Sequence, residues 1–276
     1  MDSYVDIDYE VCDSCGKCVS ACSRGVLQAY SLESREYIAP IRWFLCDGCG
    51  GCIEACDRKA IQTGPFSPSF ERHAIHYFKE PGPRNTLQIC QLVAREVKAG
   101  IGHVVVSSTS GSTALVMARH LQGLNTKLLV FTIPPVWSKI HPYPSIPTET
   151  RKTIEGLGAK VMDGALPAIS CGPDTINCST SKTEIRPVPH CAIWEILHGI
   201  GGQGLPTAVD AVFTAVKYGE VPLGCEVIGV GGTRCGADTA IVMKATPHQE
   251  MLSGPLENRF NIVRIIAVPS KKRWYW

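Results

Sequence analysis

Eight of the fourteen cysteines in this 276-residue chain form two copies of one spacing. Cys12, Cys15, Cys18 and Cys22 read C-x2-C-x2-C-x3-C, and Cys46, Cys49, Cys52 and Cys56 repeat it. This constrains the fold more than any hydrophobic pattern, because such short steps oblige the backbone to wrap around whatever the thiolates hold. Three thiolates two residues apart can cover one face of a cubane cluster, and the fourth follows on a helical turn that points to a second centre. A zinc ribbon needs two C-x2-C pairs, which Cys12/Cys15 and Cys46/Cys49 supply. It leaves Cys18, Cys22, Cys52 and Cys56 at matching offsets without a reason. A disulfide framework belongs to secreted chains of under about 100 residues.

The paired run resembles the ligand pattern of bacterial two-cluster ferredoxins. That resemblance implies two [4Fe–4S] clusters, single-electron transfer and a crossed ligand set. Cys12, Cys15, Cys18 and Cys56 would hold one cluster, and Cys46, Cys49, Cys52 and Cys22 the other. Ser23 and Asp57 stand where proline usually follows the fourth cysteine, a departure that removes no ligand. The stretch between the motifs, including Tyr30 to Ile41, is a few residues longer than a minimal ferredoxin needs.

The length allows two domains, and 45% hydrophobic with 19% charged residues is a globular balance. A net charge of +2 gives no reason to expect nucleic acid as the main partner. Residues 1–64 carry a balance of −4 and the remainder +6, consistent with an acidic module that meets a redox partner. No run approaches 18 apolar residues, so no transmembrane segment is expected. The start, Met1-Asp2-Ser3-Tyr4-Val5-Asp6, lacks a signal-peptide pattern, and cysteines of this kind suit a reducing compartment. A cytoplasmic protein of anaerobic metabolism is the expectation.

Past Gly64 the composition changes, with two prolines and no helical period as far as Arg72. From His73 onward strands and helices alternate. Ala74 to Phe78 reads as a strand, and Leu87, Cys90, Val93 and Val97 lie at near-helical spacing. Val104-Val105-Val106 and Leu128 to Phe131 suit strands buried on both faces. Thr148 to Gly156 and Pro206 to Tyr218 read as helices, and Lys160 to Met162, Val227 to Val230, Thr239 to Val242 and Ile262 to Val268 as strands. The expected fold class is an α+β ferredoxin-like two-cluster module over residues 1–64, a linker over 65–73, and an α/β domain with a mostly parallel sheet over 74–276.

Two turns in the larger domain have ligand-binding chemistry. Thr109, Ser110, Gly111, Ser112 and Thr113 lie between a strand and a helix, where unpaired N–H groups and hydroxyls attract anions. Gly231, Gly232, Thr233, Arg234, Cys235, Gly236, Ala237, Asp238 and Thr239 directly follow another strand. Neither turn is a Walker A run or a G-x-G-x-x-G fingerprint. Simple helix caps and ordinary glycine turns are the plainer readings.

Four stretches, Tyr77 to Thr86, Val104 to Leu115, Gly202-Gln203-Gly204 and Val230 to Ala240, resemble the pyruvate kinase C-terminal-like α/β family that occurs without the kinase barrel. The resemblance implies a phosphate pocket at Thr109 to Thr113, similar to one that accommodates FMN in stand-alone relatives. Gly231, Gly232, Thr233, Gly236, Asp238 and Thr239 would then border the ribityl chain or ring. It does not imply kinase activity, since phosphoryl transfer belongs to the absent barrel. Residues 166–191 depart from the family pattern as a cysteine-rich insertion.

Of the remaining cysteines, Cys90 and Cys225 read as core thiols, and Cys235 in the second turn either as an inert thiol or as one that approaches a bound flavin or substrate. Cys171, Cys178 and Cys191, with His190 alongside, are candidates for a third metal site, though C-x6-C-x12-C matches no standard run. The histidines form no constellation, and no nucleophile–base–acid set marks a hydrolase. The basic, aromatic end from Lys271 to Trp276 suits either a frayed tail or a docked one. The expected function is an iron–sulfur, flavin-binding electron-transfer protein, acting as the electron-delivering subunit of a larger oxidoreductase. The alternative is a redox-coupled sensor that binds a phosphorylated metabolite. A redox partner protein is implied under either reading, and a homo-oligomer is compatible with both.

Overall fold

The structure is a computed structural model that describes residues 3–32, 34–65, 73–132, 145–162 and 189–272, with the side chains of 65 and 189–192 left aside. The chain divides into two compact units, Met1–Arg72 and His73–Trp276.

In the first unit, β1 (Ser3–Ile7) pairs antiparallel with β4 (Ile61–Pro65), from Ser3 opposite Pro65 to Ile7 opposite Ile61. A second ribbon joins β2 (Gln28–Leu32) to β3 (Arg35–Ala39). Two short helices, α1 (Lys17–Ala21) and α2 (Gly51–Glu54), carry the third cysteine of each motif, Cys18 and Cys52. Strand alternation turns Val5 and Ile7 inward, where they meet Val26, Leu27, Ile38 and Ile61. The repeat is structural as well as sequential. At an offset of 34 residues, Asp8 N–H donates to the Ala60 carbonyl (2.8 Å) and Arg42 N–H to that of Val26 (3.1 Å).

The second unit is a seven-stranded sheet with helices on both faces. Its elements are β5 (His76–Phe78), α3 (Thr86–Lys98), β6 (His103–Ser107), α4 (Ser112–Leu121), β7 (Lys127–Phe131), α5 (Thr148–Gly156) and β8 (Lys160–Met162). They continue with α6 (Pro189–Gly201), α7 (Gly204–Lys217), β9 (Glu226–Gly231), β10 (Thr239–Lys244) and β11 (Ile262–Pro269). The spatial order is β5-β11-β10-β9-β6-β7-β8, parallel except where β10 runs against both its neighbours. The β-branched run of β6 divides between the faces. Val104 and Val106 pack with Ile89, Val93 and Met117 on one side, and Val105 packs with Leu129, Val209 and Phe213 on the other.

Two features differ from the sequence reading. The Gly231–Thr239 turn, expected between two strands of a mostly parallel sheet, joins antiparallel neighbours and is a hairpin loop. Helix α6 extends through Gly199 to Gly201, although the glycines from Gly199 to Gly204 read in the sequence as a turn that His198 precedes. Leu197 is buried and Ile193 packs against the same core, and this burial outweighs the weak helix preference of glycine. Among the described residues no helix is long and apolar enough to cross a membrane.

Candidate iron–sulfur and ligand sites

Each motif wraps one turn of chain around its own thiols. Ser14 (φ 59°) and Gly48 (φ 74°) occupy equivalent left-handed positions between the first two cysteines, and Gly16 (φ 74°) and Gly50 (φ 80°) between the second and third. These reversals let the backbone turn within a two-residue step. Asp13 and Asp47 steady them, accepting the N–H of Cys15 (3.3 Å) and of Cys49 (3.2 Å).

The fourth cysteine of each motif turns toward the other repeat. One cavity is lined by Cys46, Cys49 and Cys52 together with Cys22, and the other by Cys12, Cys15 and Cys18 together with Cys56. The two are nearly equal in size, with about 330 and 320 Å³ of atom-free space counted to their open mouths. Arginines two residues beyond the fourth cysteines follow the same crossing. Arg24 reaches Asp47 at 3.1 Å, and Arg58 reaches Asp13 at 3.1 Å. Both pairs are exposed, so solvent screening leaves them little net worth. They act as latches that set register rather than as the main stabilising force. Lys17 pairs in addition with Asp57.

Electrostatics and hydrogen bonding suit metal-bound sulfur. Val26 N–H points to the Cys22 sulfur at 3.3 Å and Ala60 N–H to that of Cys56 at 3.4 Å, donors of the kind that stabilise negative sulfur and tune cluster potential. Burial, followed by neighbouring thiols, pushes the Cys18 and Cys52 thiols up. A bare thiolate is therefore disfavoured there, and iron held by these residues would supply the positive charge that keeps the sulfur deprotonated. Hydrogen bonds from Cys15, then the Arg58 contact, hold Asp13 below its ordinary value. The Cys49 N–H does the same for Asp47. Among the described residues no three His, Cys, Asp or Glu side chains are set to hold a single metal ion. Four thiols spread around each cavity fit a multi-atom cluster.

In the larger unit, the two sequence-predicted turns leave the same edge of the sheet. Val106 of β6 lies beside Val230 of β9 in parallel register, so Ser107 and Gly231 exit side by side. In the first turn, Ser108 Oγ accepts Ala114 N–H (3.3 Å) and caps α4, while the hydroxyls of Ser110 and Ser112 lie 3.1 Å apart. Thr109 is half-buried and Thr113 buried, and the Thr109 carbonyl accepts the Thr132 hydroxyl (3.1 Å). Gly111 (φ 81°) sits under α5, where a Cβ would come within 2.9 Å of Ile146.

The second turn converges on Asp238, which is fully buried. Its carboxylate accepts the N–H groups of Gly82 (2.8 Å) and Thr233 (3.0 Å) and the Thr239 hydroxyl (3.0 Å). The Ala237 N–H donates to Thr86 Oγ1 (2.9 Å), and Gly236 packs on Pro83 so closely that a Cβ would approach its Cα to 2.4 Å. Gly204 abuts Asp238 and Thr239, while Gly231 and Gly232 lie against backbone carbonyls. Three of the four stretches that carry the resemblance thus meet at one buried carboxylate, and the fourth joins them through the β6–β9 pairing. The buried Thr233 hydroxyl has no partner among the described atoms. Sequence reasoning assigned Asp238 to a ligand and missed its part in knitting the loops together. The signal was available, since a lone acidic residue among glycines and hydroxyls suits a cage of backbone donors. Burial lowers the pKa of Lys272 near this carboxylate, while Asp238 opposes the shift.

Cys90 is fully buried, and burial pushes its thiol up to about 12. Cys225 is half-buried and donates to the Pro222 carbonyl (3.1 Å), and Cys235 is exposed. Cys171 and Cys178 lie outside the described residues, as do residues 66–72 of the 65–73 linker, His141 and the last four residues, and so do the side chains of His190 and Cys191.

Residues 10–61 match the family model of the 4Fe-4S dicluster domain. The match spans both cysteine motifs, and it supports iron–sulfur clusters as the metal centres of this region and electron transfer as their chemistry.

Proposed function

We propose that this protein is an electron carrier in which Cys12, Cys15, Cys18 and Cys56 hold one [4Fe–4S] cluster and Cys46, Cys49, Cys52 and Cys22 hold the other. The observation that carries the reading is the composition of the two cavities, each lined by three thiols of one motif and the fourth of the other. Such clusters supply one-electron exchange when bound. The chain's own residues fix the sulfurs, donate to them through Val26 and Ala60 N–H, and latch the repeats through Arg24 and Arg58.

We further propose that Thr109, Ser110, Gly111, Ser112 and Thr113 bind the phosphate of an FMN-like ligand, bordered by Gly231, Gly232, Thr233, Gly236, Asp238 and Thr239. The common sheet edge and the unpaired Thr233 hydroxyl support it. A bound flavin links one- and two-electron steps. Within the border Asp238 has a positioning role, because protein donors engage its carboxylate. The protein would deliver electrons to a larger oxidoreductase.

The test is anaerobic purification with iron, sulfide and cofactor assays. About eight iron atoms per chain and a stoichiometric flavin are expected. Eight iron atoms without flavin favour the sensor reading, and bound zinc with little iron overturns the cluster reading. Paired substitutions test the crossing. Cys22→Ala with Cys46→Ala strikes one cavity and retains about four iron atoms, whereas Cys22→Ala with Cys12→Ala strikes both and retains almost none. The reverse pattern means that each motif ligates its own cluster. Bulky replacements at Ser110 and Thr113 remove flavin but not iron, and unchanged flavin content refutes the phosphate placement.

A further inference from the structure

Strands β5, β6, β9 and β11 run parallel, and their carboxyl ends form the edge beyond which α/β sheets bind ligands. Just past the end of β11, the stem of Lys272 runs beside Gly202, where an added Cβ would stand 3.9 Å from the lysine Cδ. Gly202 (φ 73°) belongs to the turn that enters α7. Its N–H donates to the His198 carbonyl (2.8 Å), and its own carbonyl accepts Leu205 N–H (3.2 Å). That turn holds Gln203 between Gly202, beside Lys272, and Gly204, which abuts Asp238 and Thr239. Thr233 is tied to the same Asp238 carboxylate through its N–H (3.0 Å). Lys272, Gln203 and Thr233 are thus anchored around one carboxylate that protein donors already occupy, and each has bonding capacity left over. Gln203 Oε1 and Thr233 Oγ1 are buried with no partner among the described atoms, and Thr233 is only 3% exposed. Lys272 Nζ donates to the Pro269 carbonyl and, with three N–H groups, keeps two more to give. Buried polar groups without partners are costly and rare, so an orphaned hydroxyl and an orphaned amide oxygen together point to a ligand.

We propose that Lys272, Gln203 and Thr233 bind the imide edge of the flavin ring, its run of carbonyl, N–H and carbonyl. The inference deepens the flavin reading above and rests on it. The bonding types match in kind and number. Lys272 and the Thr233 hydroxyl donate to the two carbonyls, and Gln203 Oε1 accepts the N–H between them. A second phosphate or a carboxylate would leave Gln203 Oε1 unanswered, because neither brings a donor to it. Asp238 stays a positioning residue: its carboxylate holds the Thr233 backbone and lies close enough to act on the charge of Lys272. The hydroxyl-rich turn from Thr109 to Thr113 would take the phosphate at the other end of the ligand, so the two ends of FMN are read by separate groups.

The test titrates full-length, iron-replete protein freed of flavin with FMN, with 3-methyl-FMN, whose ring N–H carries a methyl group, with riboflavin and with UMP. Calorimetry reads each Kd. FMN is expected to bind, and 3-methyl-FMN to bind about tenfold or more weaker, the loss of one hydrogen bond to a buried group. Gln203→Ala should bind the two flavins equally. Lys272→Met and Thr233→Val should each weaken FMN and riboflavin by the same factor of about ten, since neither side chain reads the phosphate. Thr233→Val should leave the Tm of the flavin-free protein no lower, because the lost hydroxyl had no protein partner. Equal affinity for FMN and 3-methyl-FMN in the unmodified protein, or no effect of Lys272→Met and Thr233→Val, overturns the imide contact and leaves the flavin reading standing. Binding of neither FMN nor UMP overturns both. UMP bound while FMN is refused overturns the flavin reading and moves the imide contact to a uracil nucleotide.

Discussion

Asp238 shows how much one side chain can organise. Its carboxylate satisfies two backbone N–H groups from segments 156 and five residues away, and a hydroxyl next door. Each buried donor left without an acceptor costs about 1–3 kcal/mol. Asp238→Ala is therefore expected to destabilise the larger unit by about 3 kcal/mol. A fall in Tm of roughly 6–12 °C follows for a domain of this size, measurable by calorimetry. Asp238→Asn, which keeps acceptor capacity on one atom, should lose less. The residue itself was legible in the sequence as an unusual acid in a glycine turn. Its partners were not, because Gly82 becomes its neighbour only after β5, β10 and β11 assemble.

Among the elements, the contact between α7 and β9 is decided by missing side chains. A Cβ on Gly231 would stand 2.1 Å from the Gly204 carbonyl oxygen, and one on Gly229 would stand 2.7 Å from that of Ala208. Both obstacles are backbone and cannot rotate away. Gly231→Ala is expected to cost about 1–3 kcal/mol by forcing the helix off the strand. Gly199→Ala in α6 meets nothing within 4 Å, and should be neutral or stabilising by up to about 1 kcal/mol. Urea denaturation of the two variants checks the contrast. The strands around this contact were readable from their β-branched runs, and α7 from its apolar period. The direction of β10 was not, since an antiparallel return and a parallel crossover bury the same apolar side chains.

At the scale of the molecule, the two units rest on different foundations. The larger has an extensive apolar core on each sheet face, while the first unit buries little beyond Val5, Ile7, Val26, Leu27, Ile38 and Ile61. A core that small needs staples, and here the staples are the thiols and what they bind. Stripping the metal from the full-length protein with a chelator under mild oxidation is expected to abolish the tertiary signal of the first unit. The thermal transition of the second should shift by less than about 2 °C. A single cooperative transition lost in one step would show that the units depend on each other.

The sequence by itself determined the local chemistry: two four-cysteine runs, the strands with β-branched cores, and hydroxyl- and glycine-rich turns at strand ends. These are legible because ligand spacing and hydrophobic period are short-range properties of a chain. Tertiary structure alone decided that Asp238 gathers distant segments, and that Ile41 stays exposed while its counterpart Ile7 turns into the core. Each depends on contacts between residues tens to hundreds of positions apart, whose pairing follows from packing the whole unit at once.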